Sequence, residues 1–162
     1  KDCSEHGLPM VRALFVEFPN DPGSWLIDDE YFFGSDILVA PLFQENETGR
    51  AVYLPPGDWI DFQSGKNYSG GWHKIEAGKI PAVILVRDGA AIPEIQLAQS
   101  TSQMDWSKLK LVVFAKNSPT AQGLVCLPSD NVLREISLHH TGNGFALADD
   151  PFAGKVKWQI EN

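Results

Sequence analysis

The sequence predicts a mainly β chain built from two small antiparallel β-sandwich-like domains, and three observations carry that prediction. Short apolar segments recur at intervals of about ten residues, separated by Pro, Gly, Asn and Ser breaks. Residues 51–71, AVYLPPGDWIDFQSGKNYSGG, hold two prolines, four glycines and four aromatic residues, the chemistry of tight turns between strands. The last segment, KVKWQIE, alternates Val156, Trp158 and Ile160 with Lys155, Lys157, Gln159 and Glu161, so one face of that strand is buried and the other wet.

The elements follow in order. Residues 8–18, LPMVRALFVEF, are apolar almost throughout, the pattern of a strand buried on both faces in a parallel sheet. Its sheet partners would then lie outside the sequence or in another subunit. Arg12 is the charge inside that run, and a buried guanidinium needs a carboxylate or several carbonyls around it. It reads either as a structural ion pair or as a substrate contact. The loop PNDPGSW follows, and then LIDDEYFFGSD, where Asp28 and Asp29 open a short helix that Gly34 ends.

From ILVAPLF (residues 37–43) onward, short strands are expected at residues 51–54, 59–62, 72–75, 82–86 and, after the RDG turn, 90–93. Residues 94–107 are polar and without strong period, as in a linker. Beyond them LKLVVFA, LVCLP, VLREISLHH, GFALAD and KVKWQIE form a second β unit.

Composition removes several classes of function. The 162 residues, 43% hydrophobic, suffice for one ordinary domain or two small ones. Thirteen basic against twenty-one acidic residues give a net charge of −8, with no basic stripe to neutralise phosphates, so no nucleic-acid partner is expected. No apolar run approaches the roughly 20 residues of a membrane helix. Cys3 and Cys126 lack the spacing of a zinc site or a disulfide framework, which favours a reducing, cytoplasmic setting. The opening KDCSEHG leads almost directly into an apolar segment, as where a chain begins inside a larger protein.

The chemistry-bearing side chains are few. Phosphate-cradling glycine motifs, HExxH and GxSxG are absent. The neighbouring His139 and His140 point to opposite faces of a regular strand and cannot share one metal, while His6 and His73 stand alone. Neither a metal nor a cofactor is expected. Three carboxylate pairs, Asp28/Asp29, Glu45/Glu47 and Asp149/Asp150, have the residue types needed for acid/base cleavage of a glycosidic bond. Each lies in a turn, where local backbone hydrogen bonding also explains it. Trp25, Trp59, Trp72, Trp106 and Trp158 are either core packing or flat platforms for sugar rings, and a cluster on one sheet face would favour the platform.

The strings GLPMVRALFVEFPNDP, DDEYFFGSDILVAPLF, VYLPPGDWIDFQSG with the later GGW, and IPAVILVRDGAAIP resemble, in this order, the later part of glycoside hydrolase family 31, the α-glucosidases and α-xylosidases. Arg12, Glu17, Pro19, Tyr31, Gly34, Pro41, Tyr53, Gly57, Trp59, Asp61, Arg87, Gly89 and Pro93 all stand at positions of that pattern. The likeness covers about ninety residues and fades after Pro93.

The resemblance implies that residues 1–33 are the end of a (β/α)8 catalytic barrel, its last strand and connection. Residues 34–98 are then the proximal C-terminal β domain and residues 105–162 a distal one. Members of the family are retaining α-glycosidases whose nucleophile and acid/base lie on earlier barrel strands, in motifs that this sequence does not contain, so no residue here inherits a catalytic or sugar-holding role. The implied partners are the catalytic barrel of the same protein and, for the parent enzyme, an α-linked oligosaccharide. A stand-alone carbohydrate-binding or oligomerisation module is the alternative. Residues 8–18, cut from a barrel, would seek a copy of the chain.

Overall fold

The computed structural model describes residues 1–162, which divide into two compact units, Cys3–Asp88 and Gly89–Asn162, the latter joined by Lys1 and Asp2. A five-residue helix, α1 (Asp2–His6), buries none of its side chains. Strand β1 (Val11–Arg12) and helix α2 (Leu14–Glu17) follow, then β2 (Tyr31–Phe33), β3 (Ile37–Pro41), β4 (Gly49–Asp61), β5 (Asn67–Glu76) and β6 (Ala82–Arg87). These six strands form one sheet in the order β1-β2-β3-β6-β4-β5, every neighbour antiparallel. Leu14, Phe32, Leu38, Val52, Leu54, Trp59, Ile75, Val83 and Leu85 fill its core.

The second unit repeats the plan with β7 (Ala90–Glu94), β8 (Lys108–Phe114), β9 (Thr120–Cys126), β10 (Leu133–Thr141), β11 (Gly144–Leu147) and β12 (Lys157–Glu161). Their order is β11-β10-β9-β7-β8-β12, with β12 parallel to β8 and β7 parallel to β9. Leu111, Ala121, Ile136, Leu138, Phe152 and Val156 lie in its core, with Trp158 and Ile160 packed against them. The alternation read in residues 155–161 is therefore the observed one.

Four local expectations are corrected. Residues 8–18 are not one doubly buried strand: only two of them pair, antiparallel to β2, while Leu8, Met10, Val11 and Phe15 are exposed. A continuous apolar run does not reveal which side chains meet a neighbour, and here Leu14 alone among these apolar residues is fully buried. Asp28 and Asp29 open no helix, because Tyr31–Phe33 pairs with β3 on one side and β1 on the other.

The expected strands at 51–54 and 59–62 are one strand, β4, whose Pro-Pro-Gly forms a bulge between Leu54 and Asp58 rather than a reversal. The Trp59 indole donates to the Pro55 carbonyl at 2.9 Å and ties the two halves together. Finally, β6 and β7 do not pair across the RDG turn. The chain passes there from one unit to the other, since Val83 and Leu85 belong to the first core and Ala91 to the second. The polar stretch after β7 accordingly lies inside the second unit, where Ile95 and Trp106 pack on its core.

Candidate functional site

Most of the polar chemistry of the first unit gathers around the loop after α2. Asp21 accepts from the backbone N–H of Gly23 (3.3 Å) and of Ser24 (3.2 Å), from the Ser24 hydroxyl (2.6 Å) and from the Tyr53 hydroxyl (2.9 Å). Burial works against the ionised carboxylate, yet the hydrogen bonds from Ser24 and Tyr53 outweigh it and hold Asp21 below its ordinary value. The same contact, after burial, pushes the Tyr53 phenol upward. This fixed loop presents Trp25, 58% exposed, stacked on Phe15 with ring centroids 4.6 Å apart, its indole donating to the Pro19 carbonyl.

Beneath the loop lies Arg12. Its Nε donates to the Gly34 carbonyl and meets Glu17 Oε1, both at 3.0 Å, while Nη1 is buried without a partner. Arg87 spans the Phe18 and Trp59 rings at 5.0 and 5.3 Å and donates to the Ser35 carbonyl. Both arginines thus fasten β strands to the loops that flank them.

Glu30 is the most perturbed carboxyl. It is 4% exposed, accepts from the Tyr53 N–H at 2.8 Å through Oε1, and leaves Oε2 buried without a hydrogen bond. Burial raises it from 4.5 to about 7, against the opposing pull of the Tyr53 N–H and Arg50. A single carboxyl poised near neutrality suits proton transfer, but no second carboxyl that is free of its own ion pair faces it. Its neighbour Asp29 is bound to Arg50.

On the outer face of β4 and β5, Tyr53 and Trp72 are direct cross-strand partners, ring centroids 5.4 Å apart and tilted by 58°. Beyond the bulge Asp58 and Ser69 form the next pair. At the bulge lies an open depression of about 420 Å³, bordered by Tyr53, Pro56, Gly57, Asp58, Ser69 and Gly70. A second of about 320 Å³ adjoins it across Pro56 and is walled by the Phe18–Pro22 stretch. A further depression, about 520 Å³, belongs to the second unit, where Lys110 pairs with Glu94 and Glu161 at 2.9 and 3.1 Å.

The residues singled out from sequence take these places. Arg12 is a buried ion pair. Asp28 is exposed, and Asp29 serves Arg50. Asp150 caps the backbone N–H groups of Phe152 and Gly154 and receives the Trp158 indole. His139 and His140 are exposed on β10, His140 edge-on to Phe145. No three His, Cys, Asp or Glu side chains converge on a metal-sized site. Trp59 is core and Trp106 and Trp158 are half-buried, whereas Trp25 and Trp72 are exposed. Glu30, Asp21 and the Tyr53–Trp72 pair were not legible in the sequence, because burial and register bring them together.

The model of the glycosyl hydrolase family 31 C-terminal domain matches residues 7–92. The chain belongs to glycosyl hydrolase family 31. Over 94 residues this family 31 chain is 37% identical to the isomaltosyltransferase of Sporosarcina globispora, an alignment covering 57% of this chain and 9% of that protein. Over 156 residues it is 30% identical to neutral alpha-glucosidase AB of Sus scrofa, covering 93% and 16%. The solved structure of the family 31 alpha-xylosidase of Xanthomonas citri overlays 98% of this chain with 18% of its own, at a TM-score of 0.71 and 27% identity. The family 31 chain thus matches from about a tenth to just under a fifth of the length of these proteins.

Proposed function

We propose that this chain is the non-catalytic C-terminal portion of a retaining α-glycosidase, of α-glucosidase or α-xylosidase type, and that it supports the catalytic barrel of the same protein. The observation that carries the reading is the family match itself, which falls on the C-terminal domain and covers residues 7–92. Physical chemistry agrees. Retaining hydrolysis needs two carboxyls about 5 Å apart flanking the sugar, and Glu30, the one carboxyl raised to near neutrality, has as its neighbour Asp29, which is bound to Arg50.

In this reading residues 1–33 carry the connection from the barrel, as loops, two short helices and two short strands rather than a barrel strand. The rest of the first compact unit, up to Asp88, would be the proximal β domain, and the second unit, from Gly89, the distal one, a division that the two compact units support. Leu8, Met10, Val11, Phe15, Trp25 and Leu26, all exposed, supply the apolar surface that would face the barrel. In its absence the same residues would draw two copies of the chain together.

The reading frame upstream of Lys1 tests this. A frame that encodes a (β/α)8 barrel with two carboxylates at its strand ends supports the proposal, and a frame that opens at this segment overturns it. A second check is to express the longer protein with this segment deleted: loss of soluble, active enzyme, restored by supplying the segment separately, is the expected result.

A further inference from the structure

We infer that the outer face of the β4–β5 hairpin is a binding site for a neutral pyranose unit of an oligosaccharide, with Trp72 as its platform. Trp72 is 63% exposed although it lies in the middle of a strand, where an indole left in water sacrifices a large burial gain. It is not mobile decoration. Tyr53 packs against it at a tilt of 58°, and the Tyr53 hydroxyl in turn donates to the Asp21 carboxylate at 2.9 Å. A rigid, exposed aromatic wall costs little ordering on binding.

The rest of the site is open where a sugar ring would lie. Gly57 and Gly71 have φ of +137° and +116°, conformations that side-chain-bearing residues rarely adopt. With Gly70 they line, as bare backbone, a depression of about 420 Å³ whose aromatic border is Tyr53, the ring against which Trp72 packs, within the range of small-molecule pockets. The bulge between Leu54 and Asp58 takes this backbone out of ladder register, and Asp58 and Ser69 stand at the rim of the depression.

An aromatic wall, a backbone floor and a carboxylate–hydroxyl rim match a ring with one apolar C–H face and a belt of hydroxyls. Anionic ligands fit poorly, since Asp58 borders the depression and the chain carries a net charge of −8. The site itself is independent of the proposed catalytic context, and only the choice of α-glucans as first probes rests on that reading.

The test is ¹H–¹⁵N NMR titration of the 162-residue chain with isomaltotriose, maltotriose and, as a β-linked comparison, cellotriose. The expected result is millimolar affinity for at least one of them, with shifts centred on the Gly57, Gly70 and Gly71 amides and the Trp72 indole N–H. Trp72→Ala should weaken binding about tenfold while the remaining amide spectrum stays folded, and Trp72→Phe should recover part of the affinity. Leu97→Ala, an exposed apolar truncation in the other unit, should change nothing. The inference is overturned if no saccharide shifts these amides at tens of millimolar, if binding survives Trp72→Ala unchanged, or if the same amides instead respond to protein concentration, which would make this face a contact between copies. None of these outcomes bears on the upstream barrel.

Discussion

Replacing Glu30 by Gln should make the first unit more stable at alkaline pH and leave it almost unchanged at acid pH. The carboxyl is 4% exposed, has one oxygen without a hydrogen bond, and is raised from 4.5 to about 7. Folding therefore takes up a proton between those two values, and the folded state binds more protons there than the unfolded state does. Stability must then fall as pH rises through the window, because the slope follows the difference in bound protons. At about 1.4 kcal/mol per pH unit the full displacement corresponds to about 3 kcal/mol.

Glutamine is nearly isosteric, keeps an acceptor for the Tyr53 N–H and carries no charge. The Glu30→Gln variant should gain up to about 3 kcal/mol over the parent at pH 8, less whatever attraction to Arg50 is lost. The gain should vanish as pH falls towards 4.5, where the parent carboxyl is protonated in the folded state. Urea unfolding of both proteins from pH 4.5 to 8.5, followed by tryptophan fluorescence, measures the difference directly. Using the difference profile cancels other groups, such as Asp21, whose lowered carboxyl loses its stabilisation only on acidification. A profile that is flat with pH, or a variant that is less stable by the same amount throughout, would refute the assignment of Glu30 as a buried, protonatable group.

Two further substitutions probe the same framework. Arg12→Ala leaves Glu17 and the Gly34 carbonyl without their buried partner and should cost about 3–5 kcal/mol by denaturant unfolding; the Arg12→Ala/Glu17→Ala double variant should cost less than the two single losses combined. In the second unit, a methyl group on Gly123 would collide with the backbone carbonyl of Ala91 on β7, so Gly123→Ala should destabilise that unit by about 1–3 kcal/mol and speed amide exchange along β7 and β9.

What the sequence revealed follows from the range of the interactions involved. Period-two alternation in residues 155–161 is local, and it placed Val156, Trp158 and Ile160 on the core side, where they are found. The ordered motifs from Gly7 to Pro93 made the family legible for the same reason: turn glycines, prolines and aromatics act within a few residues of one another. The sheet to which β7 belongs was not legible, because it is decided by Ala90 pairing with Phe114 rather than by the two-residue turn before it.

Exposure was the hardest property to read. Residues 8–18 have the composition of a buried strand, yet their exposure depends on which neighbours are present. The Tyr53–Trp72 pair depends on hairpin register across a bulge of Pro-Pro-Gly, and Glu30 gives no sequence signal that separates it from its exposed neighbours Asp28 and Asp29. Register, burial and the pKa shift they produce are tertiary quantities.

The proposed non-catalytic role is tested most directly by incubating the purified 162-residue chain with chromogenic α-glucosides and α-xylosides and following release of the leaving group. The expected result is no turnover above buffer at any pH from 4 to 8, because in this reading the nucleophile and acid/base that retaining hydrolysis needs lie outside this segment. Turnover that co-purifies with the chain and is abolished by substituting one of its own carboxylates would contradict the proposal and place a catalytic site within these two β units.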